Sequence, residues 1–350
     1  MLEDTENVPA MIVLEVVNLT LLEICLKYDQ YVTSASSACT YFLNTYMHII
    51  NKMLGLGAKH RERCVVLKVL TTIVTYFPKL AKDILRDVKF FKENIAKLTE
   101  PSEIKDSTRG AFINFLVSFL IDGHYPVISL ILENHSLLTS IVEGLISDTA
   151  DRVCLVLITF RKYVVENPQI SKTIKMKVFN TTVIKNVVNL YNWKNHGQSA
   201  EDNSEESKNR VNECVHSLLL VLCTSHKHGV VFSDHLIGLE KKSHNILMYT
   251  VLESLERPWE HKYASELVVK ICGACPDLTK IVWSNLKPYL NPRLSKKWLN
   301  AIKFASRLVN ELDLTCLNPY LKDLTVTQVL YVLLHFTVTF VSKECMVLNC

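Results

Sequence analysis

Phe77-Pro78-Lys79-Leu80 closes one apolar helical stretch and opens the next, and the same junction returns at Tyr125-Pro126-Val127-Ile128, Asn167-Pro168-Gln169-Ile170 and Cys275-Pro276-Asp277-Leu278. Proline suits the first turn of a helix, where its missing N–H has no partner to lose, and it pushes the residue before it out of the α region. Each junction therefore predicts a hinge between paired helices. Working outward, helical periodicity predicts helices beginning near residues 8, 38, 61, 79, 107, 126, 149, 171, 208, 243, 260, 276, 294 and 324. A spacing of about 20 residues makes a helix pair repeat at about 40, the period of HEAT and armadillo arrays. The prolines stand 48, 42 and 108 residues apart (78 to 126, 126 to 168, 168 to 276), and the last interval fits two repeats plus an insertion. The expected fold is all-α, a right-handed α-solenoid of HEAT/armadillo-like repeats forming a single domain over 1–350.

Composition agrees with that reading. Glycine numbers 9 and proline 10 in 350 residues, against usual shares of about 7 and 5 percent. Sheet-rich and doubly wound folds spend glycine on tight turns, bulges and phosphate loops, so this scarcity favours helices with short connections. The insertion is expected at 195–210, where His196-Gly197-Gln198-Ser199-Ala200-Glu201-Asp202-Asn203-Ser204-Glu205-Glu206 has no apolar residue larger than alanine. Such a stretch gains nothing by burial and predicts a disordered acidic loop. Residues 99–108 form a weaker linker, and 344–350 an atypical tail that caps no pattern.

The formal net charge of +4 is too small to mark a nucleic-acid protein by bulk electrostatics, so local patches must decide. Eleven scattered cysteines, mostly within apolar stretches, suit a reducing compartment. The N-terminus, Met1-Leu2-Glu3-Asp4-Thr5-Glu6, is acidic where a secretory signal is basic. Residues 324–342 carry no formal charge and are long enough to span a bilayer. Thr325, Gln328, His335 and Thr337 favour a buried helix there instead, and no membrane partner is expected.

Candidate sites are few. Cys272-Gly273-Ala274-Cys275 has the spacing of a zinc half-site or redox pair, with Ser225-His226-Lys227-His228 as a remote imidazole source. No second such pair occurs and the preceding Ala264–Ile271 stretch reads as helix rather than strand, so the pair is expected to be a packed helix end. Nucleophile elbows, metalloprotease and kinase signatures and phosphate-binding glycine loops are all missing from the sequence, so no catalytic residue, metal or cofactor is assigned. The strongest surface feature belongs to the helix near 294. On a helical wheel Leu294, Trp298, Ile302, Ala305, Leu308 and Val309 share one arc, and Arg293, Lys296, Lys297, Lys303 and Arg307 share another of about 120 degrees opposite. These five cations form a candidate contact for RNA phosphates or an acidic partner; the plain alternative is a solvated face. Arg61, Arg63 and Lys68, and Lys172, Lys175 and Lys177, are smaller basic groups.

Several blocks resemble the Urb/Npa family of nucleolar pre-ribosomal proteins: Leu67-Lys68-Val69-Leu70-Thr71-Thr72, then Phe115-Leu116-Val117-Ser118-Phe119-Leu120-Ile121 with Gly123, and Ile170-Ser171-Lys172-Thr173-Ile174-Lys175-Met176-Lys177-Val178-Phe179. Lys227-His228-Gly229 with Phe232 and Asp234, Glu266-Leu267-Val268-Val269-Lys270 leading to Cys275-Pro276-Asp277-Leu278, and Trp298-Leu299 continue the order to about residue 312. The resemblance implies a non-catalytic scaffold assembling early nucleolar precursors of the large ribosomal subunit. It implies as partners other assembly factors, including a partner solenoid scaffold and a DEAD-box helicase, with pre-rRNA and small nucleolar RNA as further contacts, and a nucleolar location. Family members are several times longer, so the resemblance implies that 350 residues represent only their N-terminal solenoid, or a truncated gene product. The residues by themselves leave open a HEAT-type, karyopherin-like protein adaptor in the cytoplasm, which would present an acidic or apolar groove.

Overall fold

The computed structural model describes residues 8–55, 58–87, 106–122, 128, 132–133, 135–194, 205–224, 229, 232–233, 262–290 and 298–312. Among them are thirteen α-helices and no strand, as the glycine shortage requires. Two compact units divide the chain between Val183 and Ile184.

The first unit contains α1 (Val8–Lys27), α2 (Val32–Leu54), α3 (His60–Tyr76), α4 (Ala81–Asp87), α5 (Asp106–Asp122), α6 (His135–Gly144), α7 (Ala150–Thr159) and α8 (Lys172–Val178). Its centre is α3, which packs against α1, α2 and α5. That role follows from its sequence: Val65, Val66, Leu67, Val69, Leu70, Ile73 and Val74 are all buried, covering more than one face of the helix. Burying each such side chain contributes about 1.5–3 kcal/mol relative to leaving it exposed. Thr72 donates to Asn18 Oδ1 at 2.6 Å and ties α3 to α1. Next, α5 packs on α7, with Phe115 and Phe119 edge to face at 4.8 Å. Beyond α7 the helix passes into a π-helical turn, Phe160–Val165, after which α6 and α8 pack together.

The second unit holds α10 (Glu205–Thr224), α11 (Lys262–Ala274), α12 (Thr279–Leu286) and α13 (Trp298–Glu311), while α9 (Thr181–Asn189) crosses the boundary. Here α10 packs on α11 and on the 190–192 turn, and α11 packs on α13. Trp193 and Trp283 are fully buried.

Two proline junctions have the same build. Phe77 and Cys275 leave the helix at φ −129 ψ 62 and φ −134 ψ 79, each still donating its N–H to the carbonyl four residues back, Ile73 at 2.8 Å and Ile271 at 2.7 Å. Pro78 and Pro276 then start one 3-10 turn that runs into the next helix. At the third junction the outcome differs: Pro168 begins a turn in which Asn167 Oδ1 accepts from the Gln169 N–H at 2.9 Å, and α8 starts only after Ser171, whose hydroxyl caps Ile174 N–H. Asparagine supplies its own side-chain turn, which ends the chain reversal without a helix. Pro126 lies outside the described residues.

The loop expected at 195–210 also needs correction. α10 begins at Glu205, so 205–210 are helical; Glu205 and Glu206 in its first turn face the positive end of the helix, where carboxylates stabilise it. Residues 195–204 lie outside the described residues, as do 324–342 and 344–350. The described helix long and apolar enough to cross a membrane, on length and composition alone, is α1 over Pro9–Lys27.

Candidate functional site

Lys303 and Arg307 project from α13 into solvent, one turn apart, while Ile302, Ala305, Leu308 and Val309 on the other side are buried and Trp298 is half-buried. The apolar arc of the wheel is therefore the packed face, and it meets α11. Arg307 Nη1 donates to Ser265 Oγ on α11 at 3.2 Å, which fixes the guanidinium near the α11–α13 seam without removing its charge from water. Beside them Lys270 of α11 pairs with Glu311 at 3.0 Å, with both side chains about half exposed. Exposed Leu299 lies one turn before Lys303. Arg293, Lys296 and Lys297 lie outside the described residues, so the structure brings together two of the five stripe cations.

The smaller basic groups dissolve. Arg63 is buried, and its Nη2 and Nε donate to the carbonyl of Gly55 at 2.8 and 3.2 Å, closing the C-terminal end of α2. Lys175 is buried too; its Nζ donates to Val165 O at 2.6 Å, satisfying a carbonyl where the π-helical turn ends. Arg61, Lys68, Lys172 and Lys177 remain exposed as separate charges.

Cys272 is buried, and burial pushes its thiol up to about 12 although the hydroxyl of Thr279 opposes the shift. Cys223 is pushed up as well, again by burial first. A thiol held protonated in this way is a poor nucleophile and a poor metal ligand at neutral pH. Among the described residues no three His, Cys, Asp or Glu side chains gather closely enough to hold a metal ion; His226 and His228 lie outside them.

Two polar assemblies join elements far apart in the chain. In the first unit Asp148 accepts from Arg109 Nη2 at 2.8 Å and Nε at 3.0 Å and from Arg152 Nη1 at 2.7 Å, all at low exposure. Arg109 Nη2 also reaches Ile141 O at 2.9 Å, while its Nη1 is buried without a partner. In the second unit Tyr191, Asn212 and His216 bring buried polar atoms without hydrogen-bond partners to the region where α10 meets α11. Burial lowers the His216 ring below its ordinary value, Glu266 acting the other way, and burial raises Tyr191. Neither assembly contains an activated nucleophile or a matched acid–base pair.

Comparison with known proteins supplies what this geometry does not. Residues 1–301 match the family model described as "Ribosome 60S biogenesis N-terminal". The chain is 27% identical over 307 residues to "Nucleolar pre-ribosomal-associated protein 1" of Homo sapiens, and 27% identical over 299 residues to the protein of the same name in Mus musculus. These matches take in 85% and 80% of the chain but 13% of each relative, so the chain spans a small part of their length. No solved structure matches it.

Proposed function

Because the chain, matched over residues 1–301, belongs to the ribosome 60S biogenesis N-terminal family, we propose that it is a non-catalytic helical scaffold for early nucleolar precursors of the large ribosomal subunit. Ribosome biogenesis is the process that membership gives it. The observation that carries the scaffold reading is the family match over 1–301 on a chain whose described elements are all helical. The order of packing supports a solenoid of HEAT/armadillo type: α1 lies against α3, α3 against α5 and α5 against α7 in one unit, and α10 against α11 and α11 against α13 in the other. Helices stacking on near neighbours in this way bury a core within each unit and leave outer faces for partners.

The relatives are named as nucleolar pre-ribosomal-associated proteins, and the nucleolus is accordingly the proposed location. Other assembly factors are the proposed main partners, including a second solenoid scaffold and a DEAD-box helicase, with pre-rRNA and small nucleolar RNA in contact. Lys303 and Arg307, with Arg293, Lys296 and Lys297 earlier in the sequence, are the proposed phosphate contacts, subordinate to protein contacts because the whole chain carries only +4. Ultraviolet crosslinking of the tagged chain in cells, followed by sequencing of the RNA and identification of co-purifying proteins, tests the reading. Recovery of large-subunit pre-rRNA together with pre-ribosomal proteins is expected; transport receptors in the cytoplasm without pre-rRNA would overturn it.

A further inference from the structure

Nine of the twelve exposed large apolar side chains among the described residues belong to α1, α2 and the turn between them. On α1, Ile12, Leu19 and Leu26 recur every seven residues with Val16 among them, each 55–68% exposed, while Leu14 and Leu21 on the opposite side are buried. Side chains seven apart stack along one side of a helix, so these four form an apolar seam about 21 Å long, the length of four turns. This seam is open although the other side of α1 is already packed on α2 and α3. Leu19 also lines a half-open cavity of about 220 Å³ between α1 and α3, with Glu15, Asn18, Val65 and Lys68. That is room for one large aliphatic side chain inserted from outside.

We propose that the open face of α1 is the docking site for an amphipathic helix of another protein, with leucine-like residues along its seam and lysine or arginine beside it. Periodicity sets the helical form of the occupant, because a heptad-spaced row is matched by a second heptad-spaced row. Charge sets the rest. The acids Glu15 and Glu23 stand exposed on the same side of α1 as the seam; Glu23 and Lys27 pair at 3.2 Å and offset each other, so the net charge of this side comes from Glu15. A second copy of this chain fits poorly: parallel α1 helices set Glu15 against Glu15, and antiparallel ones centred on Leu19 set Glu15 against Glu23. A membrane surface fits poorly as well, since helices lying on anionic lipid flank their apolar side with cations.

The test uses the full chain and two labelled three-heptad helical peptides, both with leucine at a and d, one with lysine and the other with glutamate at e and g. The lysine peptide is expected to bind at least about tenfold more tightly than the glutamate peptide. The triple substitution Ile12→Ser, Leu19→Ser and Leu26→Ser is expected to weaken that binding at least about tenfold with an unchanged circular dichroism spectrum, the positions being exposed. Glu15→Lys with Glu23→Lys keeps the seam and is expected to invert the preference between peptides. Equal binding of the two peptides, or none of either, overturns the proposal. So does binding of the chain to phosphatidylserine-containing vesicles, or its self-association in sedimentation, when the triple substitution abolishes it.

Discussion

Arg109 and Asp148 are 39 residues apart in the chain and 2.8 Å apart in the fold, and Arg152 approaches the same carboxylate from one turn along α7. Two guanidinium groups sharing one buried carboxylate depend on it for compensation. Removing it by Asp148→Ala is expected to cost about 3–5 kcal/mol, the usual consequence of orphaning a buried charge. Denaturant unfolding of the variant measures this, and a loss below about 1 kcal/mol would mean that water already compensates the arginines. The glycines facing this network follow from it. A Cβ at Gly144 would stand 2.5 Å from Arg109 Nη2 and one at Gly110 2.7 Å from Arg152 Nη2. Ordinarily a long side chain yields to such a contact, but the Arg109 guanidinium is held through Nε and Nη2 by Asp148 and through Nη2 by Ile141 O. Gly144→Ala is therefore expected to destabilise by about 1–3 kcal/mol as overpacking, whereas alanine replaces glycine on an unobstructed helix surface with a gain. A more stable Gly144→Ala variant would show the guanidinium free to move.

At the scale of the element, what could be read from sequence follows from how local each cause is. Proline restricts its own φ and the residue before it, so the hinges at Phe77-Pro78 and Cys275-Pro276 were visible in four residues each, and the buried arc of α13 in its own periodicity. Arg63 and Lys175 were misread as surface charge because their partners, the carbonyls of Gly55 and Val165, are backbone groups that leave no mark on composition. The start of α10 was misread because acidic residues look alike in a solvated loop and in a first helical turn. The charge network at Asp148 and the polar cluster at His216 join different elements, and no window along the chain contains them. Of the candidate contact stripe, exposure of Lys303 and Arg307 is what the wheel foretold.

Two predictions belong to these helices. Replacing Lys303 and Arg307 by Gln is expected to leave stability within about 0.5 kcal/mol, as for exposed charges. Across a salt series it is expected to flatten the dependence of RNA affinity by about 1.4–1.8 units of slope, at 0.7–0.9 per lost phosphate contact. An unchanged slope would return the stripe to a solvated face. His216 gives a pH dependence of definite sign. Burial disfavours its charged form in the fold, against the pull of Glu266 and Glu213. Its folded value lies below the unfolded value of about 6.5, so its contribution is complete above about pH 6.5 and is lost as pH falls through the folded value. His216→Gln is thus expected to lose less thermal stability than the parent between pH 7.5 and 5.5; an equal loss would assign the acid sensitivity to other groups.

For the whole molecule, the four tryptophans supply a natural separation of signals. Among the described residues Trp193, Trp283 and Trp298 fall in the second unit and no tryptophan in the first; Trp259 lies outside the described residues. Trp193 and Trp283 are fully buried, so their fluorescence reports the second core, whereas far-ultraviolet circular dichroism reports helices in both units. Each unit has a core of its own, built around α3 in one and around α10 and α11 in the other, and cooperativity extends only as far as packing carries it. Two probes of a single two-state transition must coincide. In urea the fluorescence and dichroism transitions of this chain are expected to differ, and Asp148→Ala is expected to move only the dichroism midpoint, because its damage lies entirely in the first unit. A fluorescence midpoint that shifts with Asp148→Ala would show the two units unfolding as one cooperative body. In that case a substitution at the Arg109 network would also weaken whatever α13 binds, and the salt-dependence experiment on Lys303 and Arg307 would have to be read against a matched loss of fold.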